Sequence, residues 1–261
     1  MNKLDEVLAD LAAEGDQLES LVSTLTDDQW RAQTPAEGWD VATQIAHLTW
    51  TDEVAVIAAT DKEAWDAGIL EALVDPVHYV DNAALEAGKA DPADLLARWR
   101  AARPLLVKTL REYPEGEKLP WFGPPMSPTS MATARFMETW AHALDVYETF
   151  DAVLAPTDRV RHVVFLGTIT RKYAFVMNGL PVPEEDVHVS LTLPSGALFE
   201  HGSPDATNTL RGSAYDFALR ATQRRHRHDL DLVATGPIAD QWIDIAQAFA
   251  GPPGSGRVAS V

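Results

Sequence analysis

The sequence predicts a mainly α fold with a C-terminal α+β part: a four-helix bundle followed by a small α+β domain. Apolar residues recur every three to four positions through most of the first 150 residues, as on one face of a helix. Residues 187–193 alternate between apolar and polar side chains, as in a strand. No apolar run approaches the length that a bilayer crossing requires, so we expect no membrane-spanning segment.

The first two bundle helices are predicted from their caps and their apolar spacing. The first helix ends near Thr26, which we expect to cap a short helical turn at residues 27–30. Asp40 is the predicted N-cap of a second helix that runs from Val41 to about Ala59. The apolar face of the first helix consists of Leu4, Leu8, Leu11, Leu18, Val22 and Leu25.

The third and fourth helices flank an irregular connection. Asp91-Pro92 opens the third helix, because a proline at the first helical position loses no hydrogen bond. Residues 113–128 hold five prolines and two glycines, so they cannot form a regular element. The fourth helix is expected at residues 129–150, whereas residues 75–79 show no clear pattern. Four helices with one long connection are typical of a four-helix bundle.

The second half of the chain mixes helices and strands. Its predicted elements, in order, are a helix at 155–178, a strand at 187–193, a hairpin return at 197–199, a helix at 213–221, a strand at 230–234 and a helix at 237–249. We therefore predict two domains, residues 1–151 and 152–250, with a flexible tail at residues 251–261.

Composition and charge narrow the range of partners. The chain has 261 residues and a formal net charge of −18, which disfavours nucleic acids and anionic membrane surfaces. It contains no cysteine, so disulfides, thiolate ligands and a cysteine nucleophile are excluded. The acidic, amphipathic N-terminus is unlike a secretory signal, and we expect a cytoplasmic protein.

Glu138 and His142 form the most informative pair in the chain. Four residues apart on a helix, they share one face. Within an apolar helix both side chains need a partner, and a divalent metal would supply one. A further imidazole, from His47 on a neighbouring helix, would give three N/O ligands with an open position, as in catalytic zinc sites. By spacing alone, however, such a pair more often lies on a solvated face, and a lone helical histidine is more often structural.

Other polar residues near these motifs have several interpretations. Asp145 shares the helix face of His142 and is a candidate fourth ligand or ligand-orienting residue, although the spacing alone favours an exposed acid. His78 is a candidate replacement ligand. His226 and His228 are expected to be solvated or to face an anion, because they alternate with arginine in a basic stretch.

Two segments resemble the metal-binding motifs of the DinB-like bundle. They are Gly38-Trp39-Asp40-Val41 leading to Gln44-Ile45-Ala46-His47-Leu48, and Glu138-Thr139-Trp140-Ala141-His142-Ala143-Leu144-Asp145. More narrowly, the chain resembles the mycothiol-dependent maleylpyruvate isomerase family, and within it an uncharacterised actinobacterial branch of metal-binding proteins. The second half resembles the small α+β domain of that family. The resemblance implies that His47, Glu138 and His142 together hold one zinc ion.

The resemblance also implies an activity. It indicates a metal-dependent isomerase or thiol transferase in which the metal-bound thiolate of a soluble cofactor, mycothiol, attacks a small acidic or electrophilic substrate. An anionic substrate needs a cation, and Arg224 and Arg225 are our candidates, because the related isomerases use an arginine of the second domain. For each arginine, an ion pair with the acidic surface is the alternative. Trp121 and Phe122 are expected either to cover the pocket or to anchor their loop.

Two other functions stay open from the residues alone. A thiol-independent hydrolase, lyase or cyclase would use metal-bound water or Lewis acidity and would need a general base beside the metal. A non-catalytic binding or regulatory protein would enclose a fully coordinated metal, with Asp145 as the fourth ligand. Zinc is the expected metal, and Ni, Fe and Mn are alternatives for a mixed His/Glu site.

Overall fold

A computed structural model describes residues 2–260 of the chain. These divide into two units, the first ending at Leu154 and the second beginning at Ala155. The helices of the first unit are α1 (Lys3–Val22), α2 (Asp27–Trp30), α3 (Val41–Thr60), α4 (Lys62–Ala72), α5 (Tyr79–Ala87), α6 (Pro92–Glu112) and α7 (Pro128–Thr149). The four long helices α1, α3, α6 and α7 pack together as the predicted bundle, with α3 against α6 and α7, and α1 against the same two helices.

The long helices begin at the residues that can cap them. The Asp40 carboxylate accepts a hydrogen bond from Thr43 N at 2.7 Å at the start of α3, and Asp91 accepts one from Ala93 N at 2.9 Å at the start of α6. Ser127 caps α7 in the same way. Because each cap satisfies an N–H that lacks a partner within the helix, the predicted starts of these helices agree closely with the structure.

Two helices between α3 and α6 were not predicted. Within α4 only Trp65 and Ala72 are buried, and within α5 only Ala84 is buried. So few buried positions leave little periodic pattern to detect in the sequence. Of the ambiguous residues 75–79, the first four lie in the short connection between these two helices, and Tyr79 begins α5.

The second unit contains the predicted α+β part. Its elements are a 3₁₀ turn (Asp158–Val160), α8 (Arg161–Ile169), α9 (Arg171–Met177), β1 (Val187–Thr192), β2 (Leu198–His201), β3 (Asn208–Ser213), α10 (Ala214–Ala221), a 3₁₀ turn (Arg227–Asp229), β4 (Leu232–Thr235) and α11 (Pro237–Ile245). The mainly α fold class with a C-terminal α+β part is therefore confirmed.

Two predicted helices of this unit differ from the structure. The single helix expected at 155–178 begins only with the 3₁₀ turn at Asp158 and is interrupted at Thr170. The Thr170 hydroxyl lies 2.7 Å from Gln247 O and 2.8 Å from Leu166 O, so its one proton is shared between two carbonyls. The last helix ends at Ile245 rather than at Phe249. There the chain turns away so that Ala248 N donates to Ala221 O at 2.8 Å.

The sheet has the strand order β2-β1-β3-β4, with β1 and β3 parallel and both edge strands antiparallel to their neighbours. Strand β3 was not predicted, because Leu210 is its only large apolar residue. Gly212, in β3, has a φ of +134°, and a Cβ there would lie 2.1 Å from Asp231 O. The position therefore requires glycine, which depletes the strand signal further.

Within residues 2–260, no helix combines the length and the apolar character needed to span a membrane. The predicted domain limits, 1–151 and 152–250, and the flexible tail at 251–261 concern independent folding and mobility. They stay predictions.

Candidate metal centre

Helices α3 and α7 bring the three predicted ligands together. One donor atom each from His47, Glu138 and His142 lies within 4.8 Å of the other two. Glu138 Oε2 is 3.4 Å from His47 Nε2 and 3.2 Å from His142 Nε2. The four-residue spacing on α7 and the packing of α3 against α7 produce this convergence.

The electrostatics of the cluster favour an ionised carboxylate. Burial raises the pKa of Glu138, but hydrogen bonds and charge attraction from His142 and His47 outweigh this effect. The pKa of this carboxyl therefore lies well below its usual value of 4.5. A metal-binding carboxylate must be deprotonated, so Glu138 is in the right form at neutral pH.

The Trp39 side chain, which was not predicted to contribute to the site, packs on both His47 and His142. The Trp39 ring stacks on the His142 ring, with centroids 5.7 Å apart and planes 14° apart, and its centroid lies 5.3 Å from that of His47. Gly38, with a φ of +78°, makes the turn that precedes this tryptophan. Trp39 thus forms an apolar wall against the two imidazoles, which restricts the access of water to them.

Gln44 is a second residue without a predicted role. It lies three residues before His47 on α3 and is fully buried. Its amide oxygen contacts His142 Nδ1, and its amide nitrogen lies 2.9 Å from Thr34 Oγ1. The sequence signal was its position in the His47 motif, but the contact with His142 arises only when α7 lies beside α3.

The donor set fits a divalent metal. Two imidazole nitrogens and one carboxylate oxygen are ligands that zinc accepts, and three protein ligands leave a position open for substrate or water. His142 has a hydrogen-bond partner at Nδ1, the ring nitrogen that does not face Glu138, as metal-bound histidines usually do at their non-coordinating nitrogen. His47 Nδ1, in contrast, is buried and has no partner within residues 2–260.

The remaining candidate ligands are not part of this cluster. Asp145 is 1% exposed, so the expectation of an exposed acid was wrong, and it does not join the converging donor atoms of the described residues. His78 is exposed, and its Nδ1 lies within hydrogen-bond distance, 3.0 Å, of Asp75 Oδ1. Neither residue therefore extends the three-residue ligand set in this structure.

Residues 220–228, the basic stretch, lie in the second unit. Arg224 and Arg225 follow α10 and are half-buried; Arg224 donates to Thr222 O at 2.8 Å and Arg225 to Arg224 O at 2.7 Å. His226 and His228 lie close to each other, with ring centroids 4.7 Å apart. The role of the two arginines in substrate binding stays a prediction.

The aromatic residues of the proline-rich connection pack on helices α3 to α5. A β-bridge between Leu119 and Met126 closes this connection into a narrow loop. At its tip Trp121 stacks on Trp65, with centroids 6.0 Å apart, and the Phe122 centroid lies 5.1 Å from that of Trp65. Phe122 also meets the rings of Trp50 and Tyr79. These contacts correspond to the predicted role as loop anchors.

Known proteins resemble this chain in sequence and in fold. Residues 11–147 match the family model described as the mycothiol maleylpyruvate isomerase N-terminal domain. Two uncharacterised proteins, from two strains of Mycobacterium tuberculosis, are each 48% identical to the chain over 250 residues, which is 96% of this chain and 97% of theirs.

Solved structures show the same fold. Crystal structures of the mycothiol-dependent maleylpyruvate isomerase and of a histidine-to-alanine mutant of it match with TM-scores of 0.61 and 0.62. Each match covers 88% of this chain and 92% of the other. The sequence identities of 15% and 17% are low, so this likeness concerns the fold alone.

Proposed function

The chain belongs to the mycothiol maleylpyruvate isomerase family, and from this membership and the geometry of the cluster we propose that it is a metal-dependent enzyme that uses a soluble thiol cofactor. The observation that carries the proposal is the convergence of His47, Glu138 and His142 within 4.8 Å. The proposed reaction is isomerisation or sulfur transfer on a small acidic or electrophilic substrate.

The proposed metal is zinc, held by the two imidazoles and the carboxylate. When bound, it supplies a Lewis acid that can ionise a coordinated thiol or water. The cluster offers three protein donors, and Asp145 is not among them within the described residues. Three donors leave room for an exogenous ligand, which supports a catalytic site rather than a fully coordinated structural one.

The thiol must come from outside the protein, because the chain contains no cysteine. Mycothiol is the proposed cofactor, on the strength of the family and of the name of the solved relatives. The cytoplasm is the proposed location, since a low-molecular-weight thiol stays reduced there.

The chain's own residues have distinct proposed tasks. His47, Glu138 and His142 hold the metal, and Trp39 shields the two imidazoles from water. In the second unit, Arg224 and Arg225 are proposed to bind a carboxylate of the substrate, since a guanidinium can hold a carboxylate through two parallel hydrogen bonds.

A turnover assay with separate metal and thiol requirements tests the proposal. Zinc-loaded protein is incubated with α,β-unsaturated acids, with and without mycothiol, and products are followed by absorbance and mass spectrometry. We expect turnover only when zinc and mycothiol are both present, and its loss in His142→Ala. Turnover that needs zinc but not mycothiol would replace the proposal with a thiol-independent metal enzyme, and zinc binding without turnover would favour a binding protein.

A further inference from the structure

We propose that Gln44, oriented by Thr34, is a positioning residue that decides which ring nitrogen of His142 carries a proton. A chain of hydrogen bonds runs from a backbone carbonyl to the candidate metal centre. The consequence for metal affinity rests on the proposed function. The hydrogen bonds and the protonation of the ring concern the protein alone.

The chain begins at the carbonyl oxygen of Trp39, which can only accept hydrogen bonds. Thr34 Oγ1 lies 2.7 Å from this oxygen, and Thr34 N donates to it at 2.9 Å. A carbonyl has no proton to give, so the hydroxyl must donate its single proton to it. The Thr34 hydroxyl therefore has only acceptor capacity left for other neighbours.

The direction of the Thr34 hydrogen bond fixes the orientation of the Gln44 side-chain amide. Thr34 Oγ1 and the amide nitrogen of Gln44 are 2.9 Å apart, and this contact is favourable only if the amide N–H donates. A flipped amide would place two acceptor oxygens against each other with no proton between them. Because Gln44 is fully buried, exchange with bulk water offers no easy substitute.

The oriented Gln44 amide in turn determines which ring nitrogen of His142 is protonated. Gln44 Oε1 faces Nδ1 of His142, and an amide oxygen can only accept. Nδ1 must then carry a proton, whether or not Nε2 also carries one toward Glu138 in the metal-free protein. Nε2 is therefore the nitrogen left to offer a lone pair to a metal. Nε2 is also the atom that faces Glu138 Oε2, at 3.2 Å. The protonation pattern imposed from Trp39 O is thus the one that a metal bound at Nε2 requires.

The two imidazoles differ in this respect. His47 Nδ1 is buried and finds no partner within the described part of the chain, so no hydrogen bond at that nitrogen selects its tautomer. His142 is held through Gln44 from α3, although it belongs to α7. The amide therefore preorganises one ligand and ties it to the helix that carries the other histidine.

The experiment is ¹⁵N NMR of the histidine rings in the full-length protein, metal-free and zinc-loaded, with His142 assigned by comparison with His142→Ala. We expect Nδ1 of His142 to be protonated in the wild type and in Thr34→Ser. In Thr34→Val the hydroxyl is missing and the amide is free to flip, so a population with bare Nδ1 should appear in the metal-free protein. The Kd for zinc should rise about tenfold to hundredfold in Thr34→Val and stay within about twofold in Thr34→Ser.

Two further variants test whether the changes are specific to the contacts among Thr34, Gln44 and His142. Thr133→Val removes another buried threonine hydroxyl, one that donates to Thr129 O within α7, and should change neither the ring spectrum nor the zinc affinity. Gln44→Leu should weaken zinc binding as Thr34→Val does.

Bare Nδ1 in the wild type, or the same ring spectrum and zinc affinity in Thr34→Val and Thr34→Ser, would overturn the inference. The metal-free spectra read the tautomer even if the protein binds no metal or shows no thiol-dependent turnover. Failure of the proposed function and failure of this inference are therefore separate results.

Discussion

Asp52 on α3 and Arg135 on α7 form an ion pair inside the bundle. Arg135 Nε donates to Asp52 Oδ1 at 2.8 Å, and the side chains of Arg135 and Asp52 are 2% and 6% exposed, respectively. The same guanidinium donates from Nη2 to Leu48 O at 3.3 Å, a carbonyl adjacent in sequence to His47. The pair therefore joins the two helices that carry the candidate metal ligands.

Removing one partner of this pair should be costly. Arg135→Met is expected to lower the free energy of unfolding by about 3–5 kcal/mol, because the buried Asp52 carboxylate loses the cation that is hydrogen-bonded to it. The double variant Asp52→Leu/Arg135→Met should recover most of the loss, since two apolar side chains need no polar partner. Urea denaturation measures both changes. A loss below about 1 kcal/mol in the single variant, the size typical of exposed pairs, would contradict a buried ion pair.

Metal content tests the ligand assignment directly. His47→Ala, Glu138→Ala and His142→Ala are each expected to lower the metal from about one ion per chain toward zero, because each removes one of three protein donors. Elemental analysis of the purified proteins measures this. His78→Ala is the matched control, since that histidine is exposed and pairs with Asp75. Full metal content in all three ligand variants would show that the metal, if any, lies elsewhere.

The depressed pKa of Glu138 predicts a pH dependence of stability in the metal-free protein. Its folded-state pKa lies below the usual 4.5, so the folded state binds fewer protons than the unfolded state between those two values. The carboxylate therefore stabilises the fold fully above pH 4.5, and this contribution is lost as the pH falls from 4.5 through the folded-state pKa.

Denaturation of the wild type and of Glu138→Gln at a series of pH values measures this effect. The stability advantage of the wild type should be constant from about pH 6 down to about pH 5 and should shrink below pH 4.5. An advantage that grows as the pH falls below 4.5 would mean that the pKa is raised rather than lowered.

The bundle was predictable from the sequence because its helices carry strong local signals. Asp40 and Asp91 cap α3 and α6, and α1 and α6 each bury a repeating apolar face. Helices α4 and α5 bury too few side chains to produce such a face, so their existence depends on packing against α3 rather than on periodicity. Strand β3 was not predictable for the same reason. It is stabilised by its long-range pairing with β1, and a single large apolar residue gives no detectable strand pattern in the sequence.

The site shows the same division between local and long-range information. The Glu138–His142 spacing is local, and helical periodicity alone is enough to place both side chains on one helix face. The roles of Trp39 and Gln44 could not be derived in that way, although both lie in the motif that ends at His47. Their contacts with His142 cross from one helix to another and depend on the relative position of α3 and α7.

Substitution of the two candidate arginines tests their role in substrate binding. Arg224→Ala and Arg225→Ala are expected to raise KM for an acidic substrate about tenfold to hundredfold, the usual range for a lost hydrogen bond to a charged group. Arg227→Ala is the control, because that arginine is committed to Asp240 and Asp244, each at 2.8 Å. Steady-state kinetics with an acidic substrate and with its neutral ester make the measurement. Unchanged KM for the acid in both variants would contradict an anion site here.

The first unit should fold and bind metal by itself. All three candidate ligands lie before Leu154, as do Trp39 and Gln44, and the bundle helices pack on one another within this unit. A fragment of residues 1–154 is therefore expected to be helical by circular dichroism and to hold about one metal ion per chain. The fragment would still lack the basic stretch, so thiol-dependent turnover of an acidic substrate should be lost while metal binding is kept. A soluble, helical fragment without metal would show that the second unit is needed to complete the site, and an insoluble one would contradict the predicted domain limits.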